Sequence, residues 1–137
     1  MVAKRFPSYE LLIADDDAGF REVLRDVLEP FFQLIEASCG EEAIDIMQKR
    51  EIDLALLDMH MRALTGLETL RIVKSLNAVV PCIIITADPT DELRRDAAEA
   101  EAFTVLKKPV ARSELVTTVS TALQTAYDDP DVIGWTS

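Results

Sequence analysis

The sequence predicts an α/β protein: five strand–helix units folded as helices on both faces of one parallel sheet. Short runs without polar alternation recur, such as Leu54-Ala55-Leu56-Leu57 and Cys82-Ile83-Ile84-Ile85. Runs of that kind are strands buried on both faces. Between them lie segments with apolar residues at helical spacing, and the two patterns alternate along the chain. A third observation concerns one end of the sheet. Four of the strands run into polar residues: Asp15-Asp16, Asp58, Thr86 and Lys108-Pro109.

The first strand is Leu11-Leu12-Ile13-Ala14. Phe20, Val23, Leu24, Val27 and Leu28 then form the stripe of an amphipathic helix, which Pro30 ends. Gln33 to Glu36 is a short second strand. Ser38 and Glu41 have the spacing of a capping box and open a helix through Ala43, Ile44 and Met47. The third strand ends at Asp58, and Gly66 precedes a helix carrying Leu67, Leu70, Val73 and Leu76. Pro81 opens the fourth strand. The fourth helix, about Asp91 to Ala100, has only Leu93, Ala97 and Ala100 on its apolar stripe. It is therefore expected to be the helix readiest to shift. The fifth strand is Phe103 to Lys107, and the last helix starts near Ser113 with Leu115, Val116, Val119, Ala122, Leu123 and Ala126.

Right-handed crossovers restrict how these units connect. The expected fold is a flavodoxin-like (βα)5 three-layer sandwich with parallel sheet order 2-1-3-4-5. Strands one and three then lie side by side where strand order reverses, the place where such sheets bind ligands. Asp15, Asp16 and Asp58 become neighbours there. The domain is expected to span residues 8–126, with residues 127–137 as a loose acidic tail.

The chain has 137 residues, of which 14 are Lys or Arg and 25 are Asp or Glu, a formal net charge of −11. Phosphate backbones and anionic lipid surfaces attract basic patches, so neither nucleic acid nor a membrane is an expected partner. The longest apolar runs are strand-length. Met1 to Pro7 is basic but lacks the apolar core of a signal peptide. Cys39 and Cys82 fit neither a zinc spacing nor a redox motif, and a reducing cytoplasm is the expected location. Cys82, inside an apolar strand, reads as a core residue.

Three carboxylates drawn together repel, by about 4 kcal/mol per pair at ~4 Å and an effective dielectric of ~20. A divalent cation relieves that repulsion, and oxygen donors suit Mg²⁺, or Mn²⁺ in its place. A carboxylate is also a competent nucleophile towards phosphorus. A hydroxyl and an ammonium can then stabilise the oxygens of a transferred phosphoryl group. Each residue also has a plainer reading. Any of Asp15, Asp16 and Asp17 can cap the following helix, and Asp17 is best placed to do so. Lys107 competes with Lys108 for the pocket. His60 is the single histidine and reads as a rim group.

Taken in order, Asp15-Asp16, Asp58 followed by Met61 and Gly66, Thr86-Ala87 and Lys108-Pro109 resemble the signature of the bacterial two-component response-regulator receiver domain. The resemblance covers about residues 9 to 126 and suggests a single-domain, chemotaxis-regulator-like protein. It implies that Asp58 accepts a phosphoryl group from a sensor histidine kinase or a histidine phosphotransfer protein. It further implies that Asp16, Asp58 and the backbone carbonyl of His60 bind Mg²⁺ directly, with Asp15 acting mainly through water. Thr86 would be the switch hydroxyl, Lys108 the phosphoryl clamp, and the Lys108-Pro109 bond cis. The domain would catalyse only its own phosphorylation and dephosphorylation, with a downstream protein as target; dimerisation is left open.

Three positions depart from the family pattern. Arg62 stands where proline usually follows Met61. Val105 stands where an aromatic side chain usually serves as a rotamer switch, with Phe103 on the same strand face. Glu101-Ala102 replaces Gly-Ala. The departures bear on output, and two other readings compete: a receiver-shaped docking module that is never phosphorylated, and a phosphatase of the haloacid dehalogenase type, whose first motif Asp15-x-Asp17 imitates.

Overall fold

The structure is a computed structural model and describes residues 9–132. Met1 to Pro7, weighed above as a leader, and residues 133–137 of the acidic tail lie outside the described residues. Ten elements alternate: β1 (Glu10–Ala14), α1 (Ala18–Leu28), β2 (Gln33–Ala37), α2 (Gly40–Lys49), β3 (Leu54–Asp58), α3 (Gly66–Leu76), β4 (Cys82–Thr86), α4 (Asp91–Glu99), β5 (Thr104–Lys107) and α5 (Arg112–Tyr127). The strands are parallel in the order β2-β1-β3-β4-β5, as the sequence predicts. None of the described helices is long and apolar enough to cross a membrane.

Strand pleating splits the core in two, because successive side chains point to opposite faces. Leu11, Ile13, Leu54, Leu56, Ile83, Ile85 and Leu106 pack on one side with α1 and α5. Leu12, Ala14, Ala55, Leu57, Ile84 and Val105 pack on the other with α2, α3 and α4. Burying each large aliphatic side chain contributes roughly 1.5–3 kcal/mol. Truncating a central one such as Leu56 to Ala would cost about 2–5 kcal/mol.

The register sets the site. Ala14 pairs with Leu57, so Asp15 and Asp58 leave adjacent strands at one level. Asp58 pairs with Ile85 and Thr86 with Lys107, which places Thr86 and Lys108 one residue beyond each pair.

Three local expectations about these elements are corrected. The proposed Ser38/Glu41 capping box does not form. The N-cap of α2 is Cys39, without a side-chain cap bond, and Glu42 instead accepts the Ser38 N–H at 2.7 Å. The entry to α2 is tied to its packing on α3, since a Cβ on Gly40 would lie 2.3 Å from Thr69 Oγ1. A capping box does open α3, where Thr65 and Glu68 exchange bonds. On α1, Val23 is exposed while Leu24 and Leu28 are buried. At 3.6 residues per turn it lies roughly 100° and 140° from them, off the buried face. β5 starts at Thr104 rather than Phe103, whose ring is partly exposed.

The tail is not loose over its described length. Tyr127 ends α5 and its hydroxyl donates to the Asp53 carbonyl at 2.6 Å. Asp129 and Val132 are buried, and Val132 belongs to the α1/α5 side of the core. The acidic composition of the segment hides one apolar anchor and one hydrogen-bonded aspartate.

Candidate functional site

The loop after β1 is built by local hydrogen bonds. The Asp15 N–H donates to the Ala37 carbonyl at 3.1 Å, and the Asp17 N–H donates to Asp15 Oδ1 at 2.8 Å. Asp17 is the N-cap of α1, accepting from the Gly19 and Phe20 N–H groups at 2.9 and 3.3 Å. The cap role thus falls to Asp17, as its position suggested. Arg21, one turn into α1, donates to the Asp15 carbonyl at 2.6 Å and to Glu36 Oε1 at 2.9 Å. Arg25 takes the other oxygen of Glu36 at 2.7 Å. The two arginines hold the Glu36 carboxyl below its usual range, Arg25 more strongly.

Carboxylate oxygens of Asp15, Asp16 and Asp58 lie within 4.8 Å of one another. Asp15 and Asp58 are buried and Asp16 is exposed, so the cluster has a closed floor and one open side. Lys108 bridges the two buried members, with its Nζ 3.1 Å from Asp15 Oδ2 and 3.0 Å from Asp58 Oδ1. Lys107 is exposed, which settles which lysine enters the pocket. The Lys108–Pro109 peptide is cis.

Burial pushes the Asp58 carboxyl above its usual range. The bond from Lys108 pulls the other way, and the charges of Asp15 and Asp16 add to the rise. For Lys108, burial alone would favour the neutral amine, but its bonds to Asp58 and Asp15 prevail and hold it above the ordinary lysine value. The pair is therefore Lys⁺ against a carboxylate that is costly to charge. An all-oxygen donor set, two buried carboxylates in mutual repulsion and one open side fit a hard divalent cation such as Mg²⁺.

Gly66 explains its place in the motif. A Cβ there would sit 2.4 Å from the Asp58 carbonyl oxygen and 2.9 Å from Met59 Cα. The first turn of α3 therefore lies directly on the backbone at the end of β3, and the Gly66 N–H closes the loop onto the Met59 carbonyl at 2.9 Å. Within this loop Ala63 adopts a left-handed φ of 66°, and Arg62 is exposed. His60 is also exposed, and its ring is not part of the acidic cluster.

Thr86 is fully buried at the end of β4. Its hydroxyl accepts the Asp88 N–H at 3.2 Å, and its carbonyl accepts the Lys108 N–H at 2.8 Å. A cleft of about 220 Å³ lies between α4 and the first half of β5, lined by Arg94, Ala97, Ala98, Phe103 and Val105 among others. The short Val105 side chain leaves this space open, with the Phe103 ring at its edge.

Two contacts were not anticipated from the sequence. Phe20, read only as part of a core stripe, places its ring 4.1 Å from Lys108 Nζ. Arg21 was not singled out, although a basic residue in the first turn after an acidic loop is the kind of signal that could have marked it.

Many known proteins are similar to this chain in sequence and fold. Over 107 residues the chain is 33% identical to sporulation initiation phosphotransferase F of Bacillus subtilis, covering 77% of this chain and 86% of that protein. It is 30% identical over 115 residues to transcriptional regulatory protein ZraR of Escherichia coli O157:H7, covering 83% of this chain but only 26% of ZraR. Among solved structures, the Borrelia burgdorferi CheX–CheY–BeF3–Mg²⁺ complex aligns with a TM-score of 0.80 at 25% identity, covering 84% of this chain and 89% of that one. The model of the response regulator receiver domain family matches residues 11–120, from β1 into α5. On that match and on the order of its strands, this chain belongs to the response regulator receiver domain family of two-component systems.

Proposed function

We propose that this receiver domain accepts a phosphoryl group on Asp58, in a Mg²⁺-dependent transfer from a histidine kinase or a histidine phosphotransfer protein. The observation that carries the reading is the Lys108 ammonium bridging Asp58 and Asp15 at the edge of an acidic cluster with one open side. The Asp58 carboxylate oxygen attacks phosphorus, forming a new P–O bond. The P–N bond of the donor phosphohistidine breaks and its electron pair stays on the ring nitrogen; with one proton, already on the other ring nitrogen or taken up from water, the imidazole leaves neutral. Charge gathers on the three equatorial oxygens, so catalysis is mostly positioning and neutralisation. Lys108 supplies a cation already at the acceptor, and Thr86 supplies a hydroxyl one residue beyond the β3–β4 pair. Mg²⁺, when bound, would offset the charge of the carboxylates and of the incoming phosphoryl oxygens. Asp16, Asp58 and the His60 carbonyl would hold it, with Asp15 acting through water.

Similarity to the Bacillus phosphotransferase supports the transfer, and the Borrelia complex, which holds BeF3 and Mg²⁺, supports the metal. The dehalogenase-type reading is disfavoured by Asp17, whose carboxylate is occupied in capping α1. The domain would act as a cytoplasmic switch rather than a turnover enzyme, presenting a changed surface to a protein target. Incubation with acetyl phosphate and Mg²⁺, followed by intact mass measurement, tests the reading. One phosphoryl adduct is expected, and it should be absent when EDTA replaces the metal. No adduct from acetyl phosphate or from any kinase would leave the docking-module reading in its place.

A further inference from the structure

The site contains an aromatic wall that the proposed chemistry has not used. Phe20 sits in the first turn of α1, half-buried, with its ring centroid 4.1 Å from Lys108 Nζ. That lies within the range of a cation–π contact. The Lys108 side chain is only 23% exposed, and its ammonium is held by Asp15 Oδ2, Asp58 Oδ1 and this ring. The position of the ring is set by the same loop that carries the acids. Asp17 caps α1 through the N–H of Phe20 itself, at 3.3 Å. The segment from Asp15 to Phe20 thus supplies both an anionic wall and a π wall for one cation.

We propose that Phe20 is a positioning residue for Lys108, holding the ammonium over the pocket as charge moves from the Asp58 carboxylate to the phosphoryl oxygens. This rests on the phosphoacceptor reading above. A lysine is a point charge on a flexible stem and readily takes solvent-facing rotamers. One of its two carboxylate partners in the resting site is the nucleophile itself, so during transfer the ammonium is left with Asp15 and the Phe20 ring. A ring face has no single bonding direction, so the ammonium can slide outward over it and stay screened from water. Arg21 fixes the Asp15 carbonyl beneath the same turn, which keeps ring and acids in one frame.

The test compares Phe20→Leu and Phe20→Tyr with the unsubstituted protein in two measurements. The first is the rate of phosphorylation by acetyl phosphate in Mg²⁺. Phe20→Leu should slow it about 3- to 10-fold, and Phe20→Tyr should stay within about 2-fold, since tyrosine keeps the π face. The second is the proton NMR shift of the Lys108 ε-methylene in metal-free protein. Ring current should move it upfield in the unsubstituted protein and in Phe20→Tyr, and the displacement should vanish in Phe20→Leu. A leucine variant as fast as the parent, a tyrosine variant as slow as leucine, or an undisplaced ε-methylene in the parent would each overturn the inference. If Phe20→Leu fails to fold, 4-fluorophenylalanine at position 20 alone weakens the face without changing the shape; a smaller slowing in the same direction is expected, and an undiminished rate would overturn the inference. If the parent takes up no phosphoryl group, the function reading fails and the role in transfer falls with it, while the ε-methylene shift still decides separately whether the Phe20 ring holds Lys108.

Discussion

The Tyr9 hydroxyl donates to Asp129 Oδ2 at 2.6 Å, joining two buried side chains 120 residues apart. The bond ties the segment after α5 to the entry of β1. Beside it the Tyr9 and Tyr127 rings lie 5.9 Å apart, and Tyr127 donates to the Asp53 carbonyl. Tyr9→Phe removes the donor and leaves the Asp129 carboxylate buried with less compensation. The expected cost is about 1–3 kcal/mol in urea unfolding. Burial first, then the bond to Asp129, raises the Tyr9 pKa above the ordinary value. Above about pH 10 the folded chain therefore holds a proton that the unfolded chain releases, and stability must fall as pH rises, by up to ~1.4 kcal/mol per pH unit for this group. Tyr9→Phe should flatten that fall in part, because Tyr127 is shifted the same way. An equally steep alkaline loss in the variant would refute the linkage.

Asp58→Asn should stabilise the metal-free protein. Burial and two neighbouring carboxylates raise the Asp58 pKa against the pull of Lys108. The folded state then binds more protons than the unfolded state just above the ordinary Asp value, so the carboxylate lowers stability as pH rises through that window. At neutral pH the asparagine variant should gain on the order of 1 kcal/mol in EDTA, and Lys108 keeps its bond to Asp15. The gain should shrink in acid, where the parent carboxyl is protonated. Saturating Mg²⁺ should reverse the ranking, since an ion held by the three carboxylates would stabilise the parent by mass action. Thermal melts across pH, with and without metal, check both signs.

Gly66→Ala should damage the site more than its single methyl suggests. The added Cβ would meet the Asp58 carbonyl at 2.4 Å, so either α3 or the end of β3 must move. The expected outcome is a loss of about 1–3 kcal/mol in stability together with weakened Mg²⁺ binding by calorimetry. Unchanged metal affinity would show that the backbone of Asp58 tolerates the shift.

The strands were legible because residues buried on both faces of a parallel sheet leave an unbroken apolar run. Their polar ends were legible for the same reason: Asp15, Asp58, Thr86 and Lys108 each interrupt or follow such a run, and the register then brings them to one edge. The capping of α2 was not legible, because Ser38 has the chemistry of a cap but helix-on-helix packing at Gly40 fixes where the helix begins. The docked tail was hidden by its composition. Val132 comes after Asp128, Asp129 and Asp131, and its burial depends on a surface formed by distant elements. The Phe20–Lys108 contact joins α1 to the end of β5, and no local periodicity encodes it.

Activation should pass from Thr86 into α4. The Thr86 hydroxyl accepts the Asp88 N–H, and the Asp88 carbonyl in turn accepts the N–H of Thr90, the N-cap of α4. Turning that hydroxyl towards a phosphoryl oxygen releases Asp88 at the root of a helix whose buried residues are Leu93 and Ala97. The open cleft beside Val105 gives the helix room to move. A beryllium fluoride complex should therefore shift amide NMR signals from Thr86 through about Ala100, a population change biased by one new hydrogen bond. Thr86→Ala should shrink these shifts while phosphorylation persists. Shifts confined to the surroundings of Asp15, Asp16 and Asp58 would show that pocket and helix are uncoupled.

The central claim is that the phosphoryl group resides on Asp58. Borohydride reduces an acyl phosphate to an alcohol, so a phosphorylated aspartate is converted to homoserine and can be located by peptide mass mapping. After reaction with acetyl phosphate and Mg²⁺, homoserine is expected at position 58 alone, with no conversion in Asp58→Asn. Homoserine at position 15 or 16 of the parent, or conversion that persists elsewhere in Asp58→Asn, would contradict the account.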